Sequence, residues 1–354
     1  MANALQENLP SKAISRQYTP FSALNVDDIN MYLSNHIQPE GAVNATVTAP
    51  RFSVKYNLLY LDVSIDKARL FKSCQELVTH HEILRTVFLQ ISDRCMQVVL
   101  EQIPLPVTEF EAHDGIEDFS QMLCAADADS EMPLGSSFVK FMFVTGRNGQ
   151  NCLIIRISHA QYDGMCLSSL LRQLGMLYDR TPIPKAPTFS TYIYHMLQET
   201  VPESYDYWRK LLEGTSTTVL RPNTTLGNSP DATSVSTSID ISARPKETTI
   251  ATLLTAAWSV VLARFSSNRD VTFGQVAAGR SIDLPDCDKI MGKCDQHVPV
   301  RVKFKPGWTA SDLLSFVQDQ HVNSSRFEST GMREIIKHCV VWPPRTGFDS
   351  VVHH

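Results

Sequence analysis

Ser158-His159-Ala160-Gln161-Tyr162-Asp163-Gly164 sets a histidine, a carboxylate and a glycine within seven residues of a 354-residue chain, at a spacing that could do chemistry. A neutral imidazole, with an unperturbed pKa of about 6.5, can take a proton from an attacking nucleophile near neutral pH, as acyl transfer requires. His159 is therefore the candidate catalytic residue. Asp163 could orient the loop or the ring, could form an ion pair with an arginine elsewhere, or could cap a following helix. Ser158 could cap or turn the preceding segment, and Gly164 would let the chain turn tightly. By residue usage alone, H-x-x-x-D-G arises in roughly one chain of this size in a few tens, so the context decides.

Two elements must position this loop. Phe138 to Val144 and Cys152 to Ile157 bracket Gly146-Arg147-Asn148-Gly149 as a hairpin whose second strand ends at Ser158-His159. After Gly164, Leu167, Leu170, Leu171, Leu174, Leu177 and Tyr178 follow the spacing of a helix with one inward face. His159 and Asp163 thus fall on a strand-to-helix loop. Upstream, Lys55 to Val63 alternates as a strand, Ala68 to Val78 has helical spacing, and Thr86 to Leu89 with Cys95 to Leu100 flank a polar turn at Ser92-Asp93-Arg94. Thr181 to Pro187 holds three prolines and predicts a stiff linker. Beyond it, Thr215 to Ser238 is a polar loop, Thr248 to Phe265 a helix, Val271 to Gln275 and His297 to Phe304 strands, and Ala310 to Val322 an amphipathic helix. Both halves mix helix and strand.

Other chemistries are weakened. The chain has no G-x-x-x-x-G-K, no G-x-G-x-x-G after a strand and no G-x-S-x-G, and His81-Glu82-Ile83-Leu84-Arg85 lacks the second histidine of a zinc helix. The eight cysteines form no C-x-x-C pair, which disfavours a zinc site or disulfide framework and predicts mostly buried thiols. Lys plus Arg number 32 against 37 Asp plus Glu, so no broad basic field exists to hold nucleic acid. The start of the chain shows no secretory pattern, and the apolar run Ile250 to Ala263 is too short to span a bilayer. A cytoplasmic protein with no nucleic-acid or membrane partner is the expectation.

Six segments occur in the order found in condensation domains of nonribosomal peptide synthetases. Thr19-Pro20-Phe21 resembles the family's opening T-P-x, and His80-His81-Glu82-Ile83-Leu84-Arg85-Thr86-Val87-Phe88 resembles its R-H-E-x-L-R-T-x-F. Ser158 to Gly164 resembles H-H-x-x-x-D-G, and Tyr207-Trp208-Arg209-Lys210-Leu211-Leu212 resembles Y-W-x-x-x-L. Arg269 to Gly274 with Gly279-Arg280 resembles D-V-x-F-G … G-R, and Met291-Gly292 to Arg301 resembles G-x-x-x-N-x-x-P-V-R. The resemblance implies an α/β fold of two chloramphenicol-acetyltransferase-like lobes in a V-shaped pseudo-dimer. With it come a divided chain: an extension at 1–17, an N-terminal lobe at 18–180, a Pro-rich linker at 181–189 and a C-terminal lobe at 190–354. The family continues well past a strand that Phe348 to His354 resembles, so the second lobe is expected to be incomplete.

The resemblance also implies carrier-delivered acyl transfer. A nucleophilic amine or hydroxyl attacks a thioester on a phosphopantetheine arm, supplied by a peptidyl carrier protein within a larger synthetase; the domain itself holds no cofactor and no metal. Serine at 158, where most members carry a first histidine, is similar to the S-H-x-x-x-D-G form of fungal terminal condensation domains, which release the peptide as a macrocycle. His159 would be catalytic, with Ser158, Asp163, Gly164 and Arg85 in support and Arg85 the expected ion-pair partner of Asp163. Gln296 stands where asparagine is usual, and Cys166 reads as a small buried side chain. Three alternatives remain: ordinary intermodular condensation, a non-catalytic carrier-docking module, and a coenzyme A-dependent acyltransferase, whose D-F-G-W-G signature is missing from the chain.

Overall fold

A computed structural model describes residues 24–26, 29–32, 39–91, 94–147, 149–198, 202–220, 235–242, 245–344 and 346–354. The extension at 1–17 and Thr19-Pro20-Phe21 lie outside the described residues, as do Ser92 and Asp93 of the polar turn and most of the polar loop. The chain divides into two compact units. The first comprises residues 1–197 and 283–294, the second residues 198–282 and 295–354. The division therefore falls after the proline-rich stretch, and a short segment from the second half of the sequence belongs to the first unit.

The first unit opens with β1 (Leu24–Val26), β2 (Ile29–Tyr32), α1 (Pro39–Thr48), α2 (Pro50–Ser53), β3 (Val54–Leu61), α3 (Lys67–His80), β4 (Thr86–Ile91) and β5 (Arg94–Leu100). It continues with β6 (Thr108–Ala112), α4 (Ile116–Ala128), β7 (Lys140–Gly146), β8 (Asn151–Ser158), α5 (Gly164–Tyr178) and α6 (Phe189–Gln198). One sheet runs β1-β2-β5-β4, the other β3-β8-β7-β6, with only the β6–β7 pair parallel. Every residue of β8 is buried, which explains why its sequence, Cys152 to Ile157, is nearly continuous apolar rather than alternating. Met142, Val144, Cys152 and Ile154 pack with Ile116 and Cys124 of α4 on one face, while Phe143 on the opposite face meets Phe71 of α3 edge-on at 5.4 Å. Helices thus cover both sides of the sheet that carries the candidate loop.

The second unit holds α7 (Pro202–Leu212), α8 (Ile250–Ser266), β9 (Asp270–Ala277), β10 (Gln296–Lys303), α9 (Ala310–Ser325), α10 (Gly331–His338) and β11 (Val351–Val352). Its sheet runs β10-β9-β11, antiparallel then parallel. β10 is an edge strand whose pairing groups are blunted: Pro299 has no N–H, and the Gln320 side-chain amide accepts from the Arg301 N–H and donates to its carbonyl. Gly274 in β9 has no room for a side chain, since a Cβ there would come within 2.6 Å of the Phe348 ring. The apolar run at 250–263 forms α8, which buries its small and hydroxyl face, Thr252, Thr255, Ala256 and Ser259, and leaves Ile250 and Phe265 exposed. Seven of the eight cysteines are buried, and none is in a disulfide. Among the described residues no helix is long and apolar enough to cross a membrane.

One partly buried histidine makes the first unit acid-sensitive. The His81 ring, at the end of α3, hydrogen-bonds Gln173 of α5 through Nε2 at 2.7 Å. Burial pushes its pKa down to about 4, partly offset by that bond. Between pH 6.5 and 4 the unfolded chain therefore binds a proton that the folded chain refuses, and stability falls with pH across that window. His81→Gln is expected to abolish this part of the pH dependence, worth roughly 2–3 kcal/mol at the acid end. Urea unfolding followed by circular dichroism at pH 7 and pH 4.5 reads the difference.

Candidate active site

The candidate loop leaves β8 at Ser158 and enters α5 at Gly164. Its reversal is made by serine. The Gln161 N–H donates to the Ser158 carbonyl at 2.8 Å, and the Ala160 N–H donates to the Ser158 hydroxyl at 3.0 Å. The same hydroxyl lies 2.6 Å from Thr46 Oγ1, itself 2.9 Å from Ser53 Oγ, and both of those donate to the Ala42 carbonyl. A buried cluster of three hydroxyls thus locks the strand end to α1 and α2. Gly164 was expected to provide the tight turn; instead it keeps a negative φ as the first residue of α5, and a Cβ there would meet nothing within 4 Å.

His159 is exposed, and its backbone N–H donates to the Ser53 carbonyl at 2.8 Å, so the main chain is fixed while the imidazole stays accessible. Its ring stacks on that of Tyr162, with centroids 4.4 Å apart and planes 24° from parallel. The Tyr162 hydroxyl lies 3.1 Å from His159 Nε2. Gln161, buried, donates through Nε2 to the Ile83 carbonyl at 2.8 Å and the Thr86 carbonyl at 3.3 Å. The segment from His80 to Phe88 therefore serves as the bracket against which the loop is pinned.

Asp163 is 2% exposed and caps α5: one oxygen accepts from the Met165 and Cys166 N–H groups at 3.1 and 2.9 Å. Its other oxygen accepts from the Cys294 N–H at 3.0 Å. The expected Arg85–Asp163 ion pair does not form: Arg85 donates to the Leu100 carbonyl, and the Asp163 carboxylate accepts these backbone N–H groups. Cys166 is buried and completes the cap, its sulfur meeting the Asp163 N–H and carbonyl. The remote segment that ends at Cys294 is further fitted by Gly292, where a Cβ would come within 2.2 Å of the Phe189 ring, and by the Tyr192 hydroxyl, which donates to the Cys294 carbonyl.

Asp163→Ala removes a cap and leaves a buried amide at 294 without this acceptor. The expected cost is about 2–3 kcal/mol. Hydrogen exchange checks it: the Cys294 amide should exchange faster by a larger factor than amides in β8.

Sequence reasoning placed His159, Ser158, Asp163 and Gly164 together on one loop, and the structure does so. It missed Thr46, Ser53, Gln161 and Cys294, of which only Gln161 lies inside the motif. The others stand 112, 106 and 131 residues from their partners and carry no local signal. Tyr162 was legible only as a residue within the motif.

A strand-to-helix loop bearing S-H-x-x-x-D-G on this mixed sheet defines a class. The condensation-domain family model matches residues 31–351, and the chain belongs to that family. Fungal synthetases are among its relatives. Nonribosomal peptide synthetase 1 of Ajellomyces capsulatus is 46% identical over 373 residues, covering 100% of this chain and 20% of that protein. Nonribosomal peptide synthetase SIDD of Beauveria bassiana (strain ARSEF 2860) is 41% identical, covering 94% of this chain and 20% of that protein. The chain thus spans about a fifth of the length of these curated relatives. The crystal structure of holo T3CT superposes with a TM-score of 0.79 at 27% identity, covering 99% of this chain and 79% of that one. The condensation domain of the Monacolin K polyketide synthase MokA, at 15% identity and a TM-score of 0.72 over 92% of this chain and 82% of that one, shares the fold.

Proposed function

We propose that the chain catalyses condensation-type acyl transfer: an amine or hydroxyl attacks the carbonyl of a peptidyl thioester held on a carrier protein, the carbon–sulfur bond breaks, and an amide or ester forms. One observation carries the reading: His159 is a solvent-accessible imidazole on an otherwise buried, over-determined loop. His159 takes the proton of the nucleophile as it attacks, and that proton passes to the departing thiolate. Alignment of nucleophile and carbonyl supplies several kcal/mol, and proton removal a smaller share. The pantetheine arm arrives with the carrier as part of the substrate, and the other modules of a synthetase are the partners.

The finer reading is chain-releasing macrocyclisation, in which the nucleophile belongs to the same peptide as the thioester. It is supported by serine at position 158, whose hydroxyl belongs to the cluster with Thr46 and Ser53 rather than presenting a second imidazole to the substrate. Ordinary intermodular condensation would use the same His159 on an aminoacyl group borne by a second carrier.

Mass spectrometry separates the two. A linear peptidyl thioester loaded on its carrier is expected to yield free product lighter by water than the linear acid. An elongated peptide retained on a second, aminoacyl-loaded carrier would replace macrocyclisation by linear condensation, and intact thioester under both conditions would refute the acyl-transfer reading.

A further inference from the structure

The second unit carries two surface grooves that meet at one side chain. Lys210, near the C-terminal end of α7, lines both. The first groove, of about 360 Å³, is lined by the half-buried Tyr207, Leu211 and Phe316 and by Lys303 of β10. The second, of about 590 Å³, is lined by Lys337 and His338 at the end of α10 and by Val340 and Val341, the latter fully exposed.

The charges around these grooves are unequally committed. Arg301, in the first groove, pairs with both oxygens of Asp270 at 2.8 and 2.6 Å and donates to the Leu211 and Glu213 carbonyls at 2.9 Å. Arg209, in the second, is held by Asp206 at 2.6 Å. Lys210, Lys303 and Lys337 are exposed, and among the described residues none of the three pairs with a carboxylate. The chain as a whole carries a formal charge of −5, so three uncommitted lysines beside apolar side chains invert its charge locally. Such a rim attracts and orients an acidic partner, while the apolar lining supplies contact that salt does not screen.

An acidic protein segment answers both features. A phosphate backbone would satisfy the lysines and leave Leu211 and Val341 uncovered, and one small ligand would engage a single groove. We propose that the two grooves form one docking surface for an acidic segment of a partner protein. A large aliphatic side chain of that segment sits against Tyr207, Leu211 and Phe316, and its carboxylates meet Lys210, Lys303 and Lys337. The surface is independent of His159 and of the acyl-transfer reading.

The probe is a short fluorescein-labelled peptide with paired leucines between glutamates, titrated with the full chain at low salt and read by fluorescence anisotropy. Charge reversal of the protein, Lys210→Glu with Lys303→Glu, is expected to weaken binding roughly 10-fold, as is glutamine in place of the peptide's glutamates. Serine in place of the leucines should also cost roughly 10-fold, the loss of one well-buried aliphatic contact. Both lysines are exposed, so the variant's circular dichroism spectrum and melting temperature should match the wild type. Carbodiimide cross-linking followed by peptide mapping should join the probe's carboxylates to Lys210, Lys303 or Lys337.

An absence of saturable binding, equal affinity for the glutamine peptide, or cross-links confined to other lysines would overturn the proposal. So would an unchanged affinity in the folded charge-reversal variant. Tighter binding of a polyuridine oligonucleotide, lost on the same charge reversal, would replace the protein segment by nucleic acid. A dimer of the chain that dissociates on that reversal would replace it by a second copy.

Discussion

Replacing His159 with alanine is expected to slow turnover of a carrier-bound peptidyl thioester by about 10²- to 10⁴-fold, the usual contribution of a positioned general base. The loss should fall on kcat, with KM little changed, because the ring acts on the proton of the nucleophile and not on the bulk of the peptide. Folding should survive. The side chain is exposed, the backbone N–H that holds the loop to the Ser53 carbonyl is kept in alanine, and the Ser158 hydroxyl cluster is untouched. Circular dichroism spectra and melting temperature should therefore match the wild type, which separates lost chemistry from lost structure.

The second large effect lies beneath the loop, on the buried face of β8. Asp127 and Arg156 are each 7% exposed. Asp127 accepts from the Tyr56 hydroxyl at 2.7 Å, Lys140 Nζ at 2.5 Å and Arg156 Nη1 at 3.0 Å, and Arg156 also donates to the Phe138 and Ser137 carbonyls. Burial opposes the charge on Asp127, but the hydrogen bonds from Lys140 and Tyr56 and the Arg156 guanidinium hold its carboxyl below the usual range. Burial and the same carboxylate push the Tyr56 phenol up.

Asp127→Ala leaves the Arg156 charge buried without its counter-ion, and the expected cost is about 3–5 kcal/mol. Joint replacement, Asp127→Leu with Arg156→Met, should recover part of that loss, because the buried cation is gone while the Tyr56 hydroxyl and the Phe138 and Ser137 carbonyls still lose a partner. All four tryptophans, at 208, 258, 308 and 342, lie in the second unit, so their fluorescence is the wrong probe. Hydrogen exchange in β8 is the right one: faster exchange in the single variant and partial recovery of protection in the double variant are expected.

The parts of the fold legible in the sequence are those whose periodicity is local. The β7–β8 hairpin, α3, α5 and the β9–β10 pair stand within a few residues of their expected bounds: α3 and α5 bury faces that recur at period 3.6, and the strands are short apolar runs bounded by turn residues. β6 and α4 were not found: Thr108 to Ala112 is a mostly exposed edge strand, and Ile116 to Ala128 mixes acidic and small residues along its length. The assignment of 283–294 to the first unit was invisible because the Asp163–Cys294 tie joins residues 131 apart. Arg85 illustrates the opposite error. Complementary charge carries no distance, and an aspartate at a helix N-terminus already has N–H donors at hand.

The account turns on the His159 imidazole accepting the proton of the nucleophile. The most direct measurement is the pH profile of kcat/KM for the carrier-bound peptidyl thioester, set beside the titration of His159 followed by ¹⁵N resonance in the same protein. The rate should rise as His159 loses its proton, with an inflection that coincides with the ring's own titration and is missing from His159→Ala. An inflection that persists unshifted in the alanine variant, or a rate indifferent to the ionisation of His159, would contradict it.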